Sequence, residues 1–437
     1  MDYIRGLIGI IAIVGVATLF SKDRKSIDWK LVGIGIALQI VFGLLVTQVG
    51  FVRDGFDAVS RGFVKFLDFS LTGASFLFGS LASSKEVGGI FGEGKGVLFA
   101  FQILPTIVFF STITAGLYYL GILQKVVYGL AWVMAKTMRL SGAESLSAAG
   151  NIFLGQTEAP LLVKPFIPTM TRSELMCLMT GGMATLAGGV LAAFVGILGG
   201  DSDVEKAKFA SYLLSASIMN APAAIVIAKI LVPQTEPDKV DKSLEVSGEQ
   251  LGVNLVDALS RGASDGLQLA LNVGGMLLAF IAVIAAVDYM CVNMIGEWTG
   301  LNEWVAVSTN GTFEGFSLQY MLGQVFRPFA WLIGVDWSDT LVVGSLLGQK
   351  TAINEFVAYL DLASIKDSGV LSQKSIIIST YALCGFSNFS SIAIQIGGIG
   401  GIAPNQQSTL SQLGFKALFA ATMACLMTGA VAGAIML

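Results

Sequence analysis

The sequence contains no histidine among its 437 residues. A histidine general base, a histidine metal ligand and a histidine proton shuttle are therefore excluded, and with them most hydrolases, zinc enzymes and haem proteins. Only four cysteines occur, far apart and within or beside apolar runs, and no CxxC pair exists. Redox chemistry and metal–thiolate sites are therefore not expected.

Charged residues are also scarce. They make up 13% of the chain, against about 25% in soluble globular proteins, while hydrophobic residues make up 54%. The 30 acidic and 26 basic residues leave a net charge of −4 with no basic block, which argues against a nucleic-acid partner. So few charges cannot cover the surface of a water-soluble body, and the sequence predicts an all-α integral membrane protein in the lipid bilayer.

Eight segments have the roughly 20 mostly apolar residues that a transmembrane helix needs. They are 3–20, 31–52, 97–120, 175–199, 208–231, 267–290, 375–400 and 413–436. A basic cluster and no cleavage site follows the first segment, which indicates a span and not a cleaved signal peptide. Lys and Arg concentrate in 21–30 and 125–172, whereas the loops 200–205 and 297–314 are acidic. By the positive-inside rule, eight spans then place both termini outside.

Three further segments complete this organisation. Residues 51–67 carry apolar side chains on one helical face and charged ones on the other, which predicts an interfacial amphipathic helix, and 118–139 predicts a second. The first of them lies within an N-terminal scaffold, residues 1–95. The stretch 233–265 is the longest hydrophilic connection and is expected on the cytoplasmic side.

Two segments, 141–169 and 339–361, contain charged residues within moderately apolar sequence. Each has the length of two half-helices joined at Gly-Gln, and we expect two re-entrant hairpins, because irregular backbone at membrane depth is tolerated only inside protein or beside a watery cavity. An ordinary polar surface loop is the alternative, and the apolar flanks argue against it.

The two hairpins resemble each other. Residues 154–158 (LGQTE) echo 347–351 (LGQKT), and an uncharged span with small polar residues at its middle follows each. The chain therefore predicts an inverted repeat with halves 96–232 and 266–437. Interrupted segments at matching positions of such repeats point to the central site of a secondary transporter.

Glu158 and Glu355 stand out, because an ionised side chain in a membrane-spanning segment costs at least about 2.5–3.5 kcal/mol. Both can accept hydrogen bonds, and Phe386 offers a flat face to a planar ring. The neutral donors and acceptors nearby are Gln156, Thr157, Asn388 and Ser391. This set suits a neutral solute rich in hydroxyl and amide groups with one planar part.

Simpler interpretations stay open at this stage. Glu355 could pair with Lys350, Glu158 could pair with Lys164, and Phe386 could be ordinary core. A sodium site could be formed by Asn151 and Thr185, because amide and hydroxyl oxygens and unwound carbonyls suit hard cations; either side chain could equally satisfy unwound backbone.

The motifs GQTEAPL at 155–161, NEFVAYLDL at 354–362 and YALCGFSNFSSI at 381–392 resemble those of the concentrative nucleoside transporter family, bacterial type. The resemblance extends over nearly the whole chain. It implies a homotrimer in the bacterial inner membrane, with eight spans per protomer and a separate site in each. The termini that the positive-inside rule places outside would then be periplasmic. It also implies cation-driven uptake of a nucleoside such as uridine, by alternating access of a mobile transport domain.

The resemblance further assigns residues. Gln156, Thr157 and Glu158 face the nucleobase with Val190, the ribose hydroxyls bind Glu355, Asn388 and Ser391, and Phe386 lines the pocket. Sodium would be held by the Asn151 and Thr185 side chains and the Leu154 and Leu186 carbonyls. Proton coupling through Glu158 or Glu355 remains the alternative. A membrane-embedded enzyme and a channel are less favoured, because no catalytic motif is present and an inverted repeat has no use in an enzyme.

Overall fold

The computed structural model describes residues 2–92, 98–241, 243–245 and 252–435, and within them the regular structure is helical, without strands. We number the α-helices of eight or more residues in chain order. They are α1 (Asp2–Leu19), α2 (Trp29–Gln48), α3 (Gly50–Phe78), α4 (Ser84–Phe91), α5 (Leu104–Tyr119), α6 (Ile122–Met138), α7 (Gly142–Gly150), α8 (Arg172–Ala184), α9 (Gly188–Gly199), α10 (Asp203–Leu231), α11 (Leu255–Tyr289), α12 (Leu301–Ser308), α13 (Leu318–Leu332), α14 (Thr340–Ala352), α15 (Glu355–Ser368), α16 (Gln373–Leu383), α17 (Phe389–Ile402) and α18 (Gln407–Ile435).

Seven helical stretches in the described residues are long and apolar enough to cross a membrane. They are Trp29–Gln48, Gly50–Phe91, Phe99–Tyr119, Arg172–Gly199, Asp203–Leu231, Leu255–Thr299 and Pro404–Ile435. Six of them coincide with predicted spans. The predicted spans 3–20 and 375–400 overlap the shorter apolar helices Tyr3–Leu19 and Phe389–Ile402. The prediction of a multi-pass helical membrane protein is confirmed, and the number of eight spans stays a prediction.

Two of the predicted spans are broken helices. Between α8 and α9 the backbone is extended at Thr185 and Ala187, and between α16 and α17 it is extended at Cys384 and Asn388. Interrupted helices expose backbone groups that a continuous helix would satisfy, so both breaks need partners from neighbouring elements.

The predicted hairpins are also interrupted, but differently from each other. The first has one α-helical arm, α7, followed by non-helical backbone and two short 3₁₀ helices, Ala159–Val163 and Ile167–Thr169, each with a proline at its start. The prediction of a second half-helix in this hairpin is therefore wrong. Three prolines interrupt the segment and prevent a continuous α-helix.

The second hairpin consists of α14 and α15, which meet at Asn354. The side chain of Asn354 caps α15 by accepting a hydrogen bond from the Val357 amide at 3.1 Å. The predicted junction at Gly348–Gln349 is wrong, because both residues lie inside α14. A Cβ atom at Gly348 would stand 2.5 Å from the Leu322 Cβ, so this glycine serves close helix packing and not a turn.

The amphipathic segments are helical, with other bounds than predicted. The 51–67 helix continues to Phe78 as α3, whose buried residues recur along one face, and the 118–139 helix is α6. The predicted connection 233–265 ends earlier than expected, because α11 begins at Leu255 with Asn254 as its N-cap. Residues 242 and 246–251 of that connection lie outside the described residues.

Corresponding helices of the two predicted halves pack against each other. Helix α5 packs along α11, and α10 packs along α18. In the most apolar 18 residues of the α10 span and of the α18 span, 83% of the residues are buried. In the α11 span only 17% are buried, so α11 presents most of its apolar surface outward. The pair α10–α18 therefore forms the centre of the protein, and both broken spans pack against it. Pairing between equivalent elements fits the predicted repeat.

Candidate substrate and cation site

Four of the predicted binding residues join the two hairpins through hydrogen bonds. The Gln156 side-chain amide donates to the Ser391 hydroxyl at 3.2 Å, and the Asn388 side-chain amide donates to the Glu355 carboxylate at 2.8 Å. The Asn388 side-chain oxygen also accepts from the Ser391 backbone amide at 2.9 Å. All four residues are buried. Gln156 belongs to the first hairpin and Glu355 to the second, so these hydrogen bonds connect both through the start of α17.

Helix starts explain why these side chains converge. Asn388 is the N-cap of α17, and Glu355 is the first residue of α15 after the N-cap Asn354. An N-cap side chain turns back onto its own helix, and a carboxylate is stabilised by the partial positive charge of a helix N-terminus. The break between α16 and α17 thus faces the tip of the second hairpin.

The other predicted substrate residues surround this set. Thr157 is exposed and approaches Gly398 of α17, and half-buried Glu158 accepts a hydrogen bond from the Gly155 amide at 3.2 Å. Val190 is buried in the first turn of α9, and Phe386 is buried in the α16–α17 break. Thr157 and Glu158 therefore leave donors and acceptors available beside the four hydrogen-bonded residues.

The predicted cation residues lie at the first broken helix. Asn151 is only 1% exposed, yet neither polar atom of its side chain has a hydrogen-bond partner among the described residues. A Cβ atom at Gly181 would stand 3.0 Å from the Asn151 side-chain nitrogen, which places Asn151 against the last turn of α8. The Thr185 hydroxyl donates to the Gly181 carbonyl at 2.9 Å. Leu154 and Leu186 are buried in the two adjoining non-helical segments.

A cation fits this position. A buried polar group without a partner costs about 1–3 kcal/mol, and a cation would satisfy the Asn151 side-chain oxygen, which has no partner among the described residues. The C-terminal end of α8 carries partial negative charge, and unwound carbonyls with amide or hydroxyl oxygens are suitable ligands for a hard cation.

Sequence reasoning missed two amides that complete the site. The Gln395 side chain donates to Gln156 at 3.3 Å and to the Met179 carbonyl at 3.1 Å. The Asn220 side chain donates to the Ala184 and Cys384 carbonyls, both at 2.7 Å. A polar residue within an otherwise apolar span is the signal that could have identified both.

The alternative ion pair of Glu355 with Lys350 is not formed. The Lys350 ammonium donates instead to the Ala382 carbonyl at 2.9 Å. Glu144 forms a capping box with Ser141 at the start of α7. It also forms a buried ion pair with Lys229 of α10.

An open cavity of about 870 Å³ lies elsewhere, between α3 and the N-terminal half of α10. Charged residues of both helices line it, including Arg61, Asp68 and Lys208. None of the predicted binding residues lines this cavity. The hydrogen-bonded set therefore stands in a closed, packed arrangement and not in this opening.

Long apolar helices around a buried polar site between broken helices define a membrane transport protein. Models of known families match most of the chain. One described as "Na+ dependent nucleoside transporter C-terminus" matches residues 212–433, and its N-terminal counterpart matches 8–81. A third, described as "Nucleoside recognition", matches residues 100–201.

Curated relatives and a solved structure agree. An "Uncharacterized transporter YutK" of Bacillus subtilis is 41% identical, covering 99% of both chains. The "Putative nucleoside permease NupX" of Escherichia coli is 36% identical, also covering 99% of both. The "Sodium/nucleoside cotransporter 1" of Mus musculus is 39% identical over 94% of this chain and 61% of its own. The structure of CNTnw "in an inward-facing substrate-bound state" superimposes with a TM-score of 0.89 at 38% identity, covering 100% of this chain and 99% of the other.

The chain belongs to the concentrative nucleoside transporter family. It is therefore a nucleoside transporter and not an enzyme, and the predicted family is confirmed.

Proposed function

We propose that this protein is a sodium-coupled nucleoside symporter that works by alternating access. The observation that carries the proposal is the buried set of hydrogen bonds from Gln156 to Ser391 and from Asn388 to Glu355, which joins both hairpins beside the unpartnered Asn151. A nucleoside presents hydroxyls at one end and a planar base at the other, so it can replace these bonds with its own.

The ribose is proposed to bind at the second hairpin. The Glu355 carboxylate accepts hydrogen bonds from ribose hydroxyls, and Asn388 and Ser391 supply neutral donors and acceptors. Hydrogen bonds to a charged group are the stronger ones, at about 1.5–3 kcal/mol each, so Glu355 is expected to dominate ribose affinity. A substrate without these hydroxyls would leave the buried carboxylate with only the hydrogen bond from Asn388.

The nucleobase is proposed to bind at the first hairpin. Gln156, Thr157 and Glu158 offer amide, hydroxyl and carboxylate groups for the base edge. Val190 and Phe386 give apolar surface to its faces. The exposed side chain of Thr157 fits an entry side for the base.

Sodium is proposed as the coupling ion, with the Asn151 and Thr185 side chains and the Leu154 and Leu186 carbonyls as ligands. The Asn151 side chain, which has no hydrogen-bond partner in the described part of the chain, supports this proposal. The "Na+ dependent" family description and the sodium cotransport named in the mouse relative support it too. Proton coupling through Glu158 or Glu355 is the competing proposal.

Movement follows from binding that touches both hairpins. Substrate that bridges the halves 96–232 and 266–437 stabilises a closed unit, and only such differential contact can shift a conformational equilibrium. That unit is proposed to move against a scaffold that includes residues 1–95, within a homotrimer. Solved structures of a similar protein in inward-facing and outward-facing states support two-state movement. The proposed location is the bacterial inner membrane, with periplasmic termini.

The test is uptake of labelled uridine into proteoliposomes containing the purified protein. Parallel samples carry an inward sodium gradient, an inward proton gradient or no gradient, and protein-free vesicles provide the background. Accumulation above the external concentration with sodium alone is expected. An ionophore that collapses the gradient should release the accumulated uridine.

Accumulation with protons alone would replace sodium coupling by proton coupling. Equilibration without accumulation would indicate a channel. Failure of uridine and of purine nucleosides under every gradient would overturn the proposal.

A further inference from the structure

The C-terminal ends of the two half-helices α8 and α16 meet at the centre of the protein. The Asn220 side chain donates to the last carbonyl of α8, at Ala184, and to the Cys384 carbonyl just after α16, both at 2.7 Å. The Cys425 sulfur of α18 lies 3.6 Å from the Ala184 carbonyl oxygen and 3.1 Å from the Cys384 carbonyl oxygen, and its single S–H can donate a weak hydrogen bond to one of them at a time. Two helix ends of partial negative charge are thus brought together, away from water.

The two ends are not completed in the same way. At the end of α8 lies Asn151, a neutral side chain with two polar atoms and no partner among the described residues. At the end of α16 lies the Lys350 ammonium, 2.9 Å from the Ala382 carbonyl, on a side chain that is 2% exposed.

The repeat makes these positions comparable. We align the two broken spans without gaps by setting Gly182 of the first opposite Gly385 of the second; this replaces the LGQ echo, because Gly348 and Gln349 lie inside α14. The alignment sets Asn151 opposite Asn354, and Lys350 lies four residues before Asn354, about one helical turn away. Both groups come from the tip region of a hairpin and reach the last turn of the half-helix that follows it. Within the described residues, the first repeat thus holds an unpartnered ligand oxygen where the second repeat holds a positive charge.

A purely structural cap does not need that charge. Asn220 satisfies two carbonyls at the same breaks with a neutral amide, and burying an ammonium is costly unless its charge is used. Glu355 of the same hairpin is close enough for a Coulombic attraction to Lys350, but its carboxylate accepts its hydrogen bond from Asn388 and forms no ion pair with the ammonium. The helix end itself is what the Lys350 charge contacts.

We propose that the Lys350 ammonium is a tethered cation that takes, in the second repeat, the place that the coupling sodium takes in the first. The protein then needs one free cation per transport cycle, because the second is part of the chain. This inference rests on the proposed sodium site at Asn151.

The test measures nucleoside affinity of the purified protein by titration calorimetry over a range of sodium concentrations, with choline keeping ionic strength constant. The logarithm of affinity should rise with the logarithm of sodium concentration with a slope of about one in the original protein, by mass action. Lys350→Ser opens a space lined by a carbonyl and a hydroxyl. We expect its slope to approach about two, so that a tenfold drop in sodium weakens binding about a hundredfold instead of tenfold.

Two other substitutions at the same position separate charge from hydrogen bonding. Lys350→Arg keeps the charge and should keep a slope of about one. Lys350→Gln keeps a donor without the charge and should also steepen the slope. If Lys350→Ser fails to fold, the slope measured for Lys350→Gln tests the proposal in its place.

Lys366→Gln is the matched control. Lys366 donates to the Leu198 carbonyl at 2.9 Å near the end of α9, but its side chain is 17% exposed and lies away from the breaks. The slope of log nucleoside affinity against log sodium concentration should stay at about one in the Lys366→Gln variant.

A slope of one in folded Lys350→Ser or Lys350→Gln would overturn the tethered cation. Loss of all nucleoside binding in both folded variants, at every sodium concentration, would overturn it too, because sodium then fails to replace the ammonium. Failure of the sodium site itself gives a different result, namely nucleoside binding by the original protein with a slope of zero.

Discussion

The side-chain amide of Asn220 donates to the Cys384 carbonyl at 2.7 Å, so a helix of the first repeat satisfies the helix break of the second. The same amide donates to Ala184 at the break of its own repeat. Gly385 allows this approach: its φ is +139°, and a Cβ atom there would stand 2.6 Å from the Ala184 carbonyl oxygen. The two broken spans are therefore held together at one point.

Replacement of Asn220 by leucine should destabilise the protein. The change keeps the number and branching of the side-chain heavy atoms but leaves two buried carbonyls without their main donor, at a cost of about 1–3 kcal/mol each. We expect the melting temperature of the detergent-purified protein to fall by several degrees, measured by thermal-shift fluorescence with and without nucleoside.

Thr422→Val is the control for this change. Its hydroxyl donates only within its own helix, to the Leu418 carbonyl at 2.9 Å, so its removal should leave the melting temperature nearly unchanged. Equal melting temperatures for Asn220→Leu and the original protein would refute the bridging role.

Replacement of Glu355 by glutamine should weaken nucleoside binding about ten- to a hundredfold, because hydrogen bonds to a charged group contribute about 1.5–3 kcal/mol. The amide keeps the shape and can still contact Asn388, so folding should be retained. Calorimetric titration with uridine, with size-exclusion chromatography to confirm assembly, measures both.

Asp367→Asn is the matched carboxylate control on the same helix. Its side chain is 79% exposed and pairs with Lys366 at the surface, so binding should be unchanged. Undiminished binding by Glu355→Gln would contradict the ribose assignment.

Hydropathy predicted most of the fold, because a helix that spans the bilayer must be long and apolar. Hydrophilic residues within such segments then indicate a functional site. The same logic identified Glu355 and Asn388. Hydropathy did not predict which residues form hydrogen bonds between helices that are distant in the sequence. An ion pair of Lys350 with Glu355, five residues away, was one open interpretation, but the acceptor of Lys350 is a carbonyl on α16, which only the packing of α14 against α16 brings near.

Local sequence also misled at Gly348. The LGQ echo predicted a turn in both hairpins, but in the second the glycine gives room to Leu322 inside a continuous helix. The sequence alone does not distinguish a glycine that permits close helix packing from one that permits a turn. At Gly348 only the position of the neighbouring helix shows which role it has.

The buried pair of Glu144 and Lys229 should behave as a unit. Removing one partner, as in Lys229→Met, leaves a buried unpaired charge and should cost about 3–5 kcal/mol. The double variant Glu144→Gln, Lys229→Met should recover much of that loss. Melting temperatures of the four proteins form a double-mutant cycle, and simple additivity of the two single effects would show that the pair is not coupled.

Replacement of Asn151 by leucine tests the sodium site in two opposite directions. Without sodium, the variant should be at least as stable as the original protein, because leucine removes two buried polar atoms that have no partner among the described residues. With sodium, the original protein should gain stability as its concentration rises, and the variant should gain much less. Thermal-shift curves from zero to high sodium, with choline as the replacement, measure both effects, and uptake should require more sodium in the variant.

Thr180→Val is the control: its buried hydroxyl is also unpartnered within the described chain but is not assigned to the site, so its sodium response should match that of the original protein. If sodium stabilises Asn151→Leu as much as the original protein, the ion binds elsewhere.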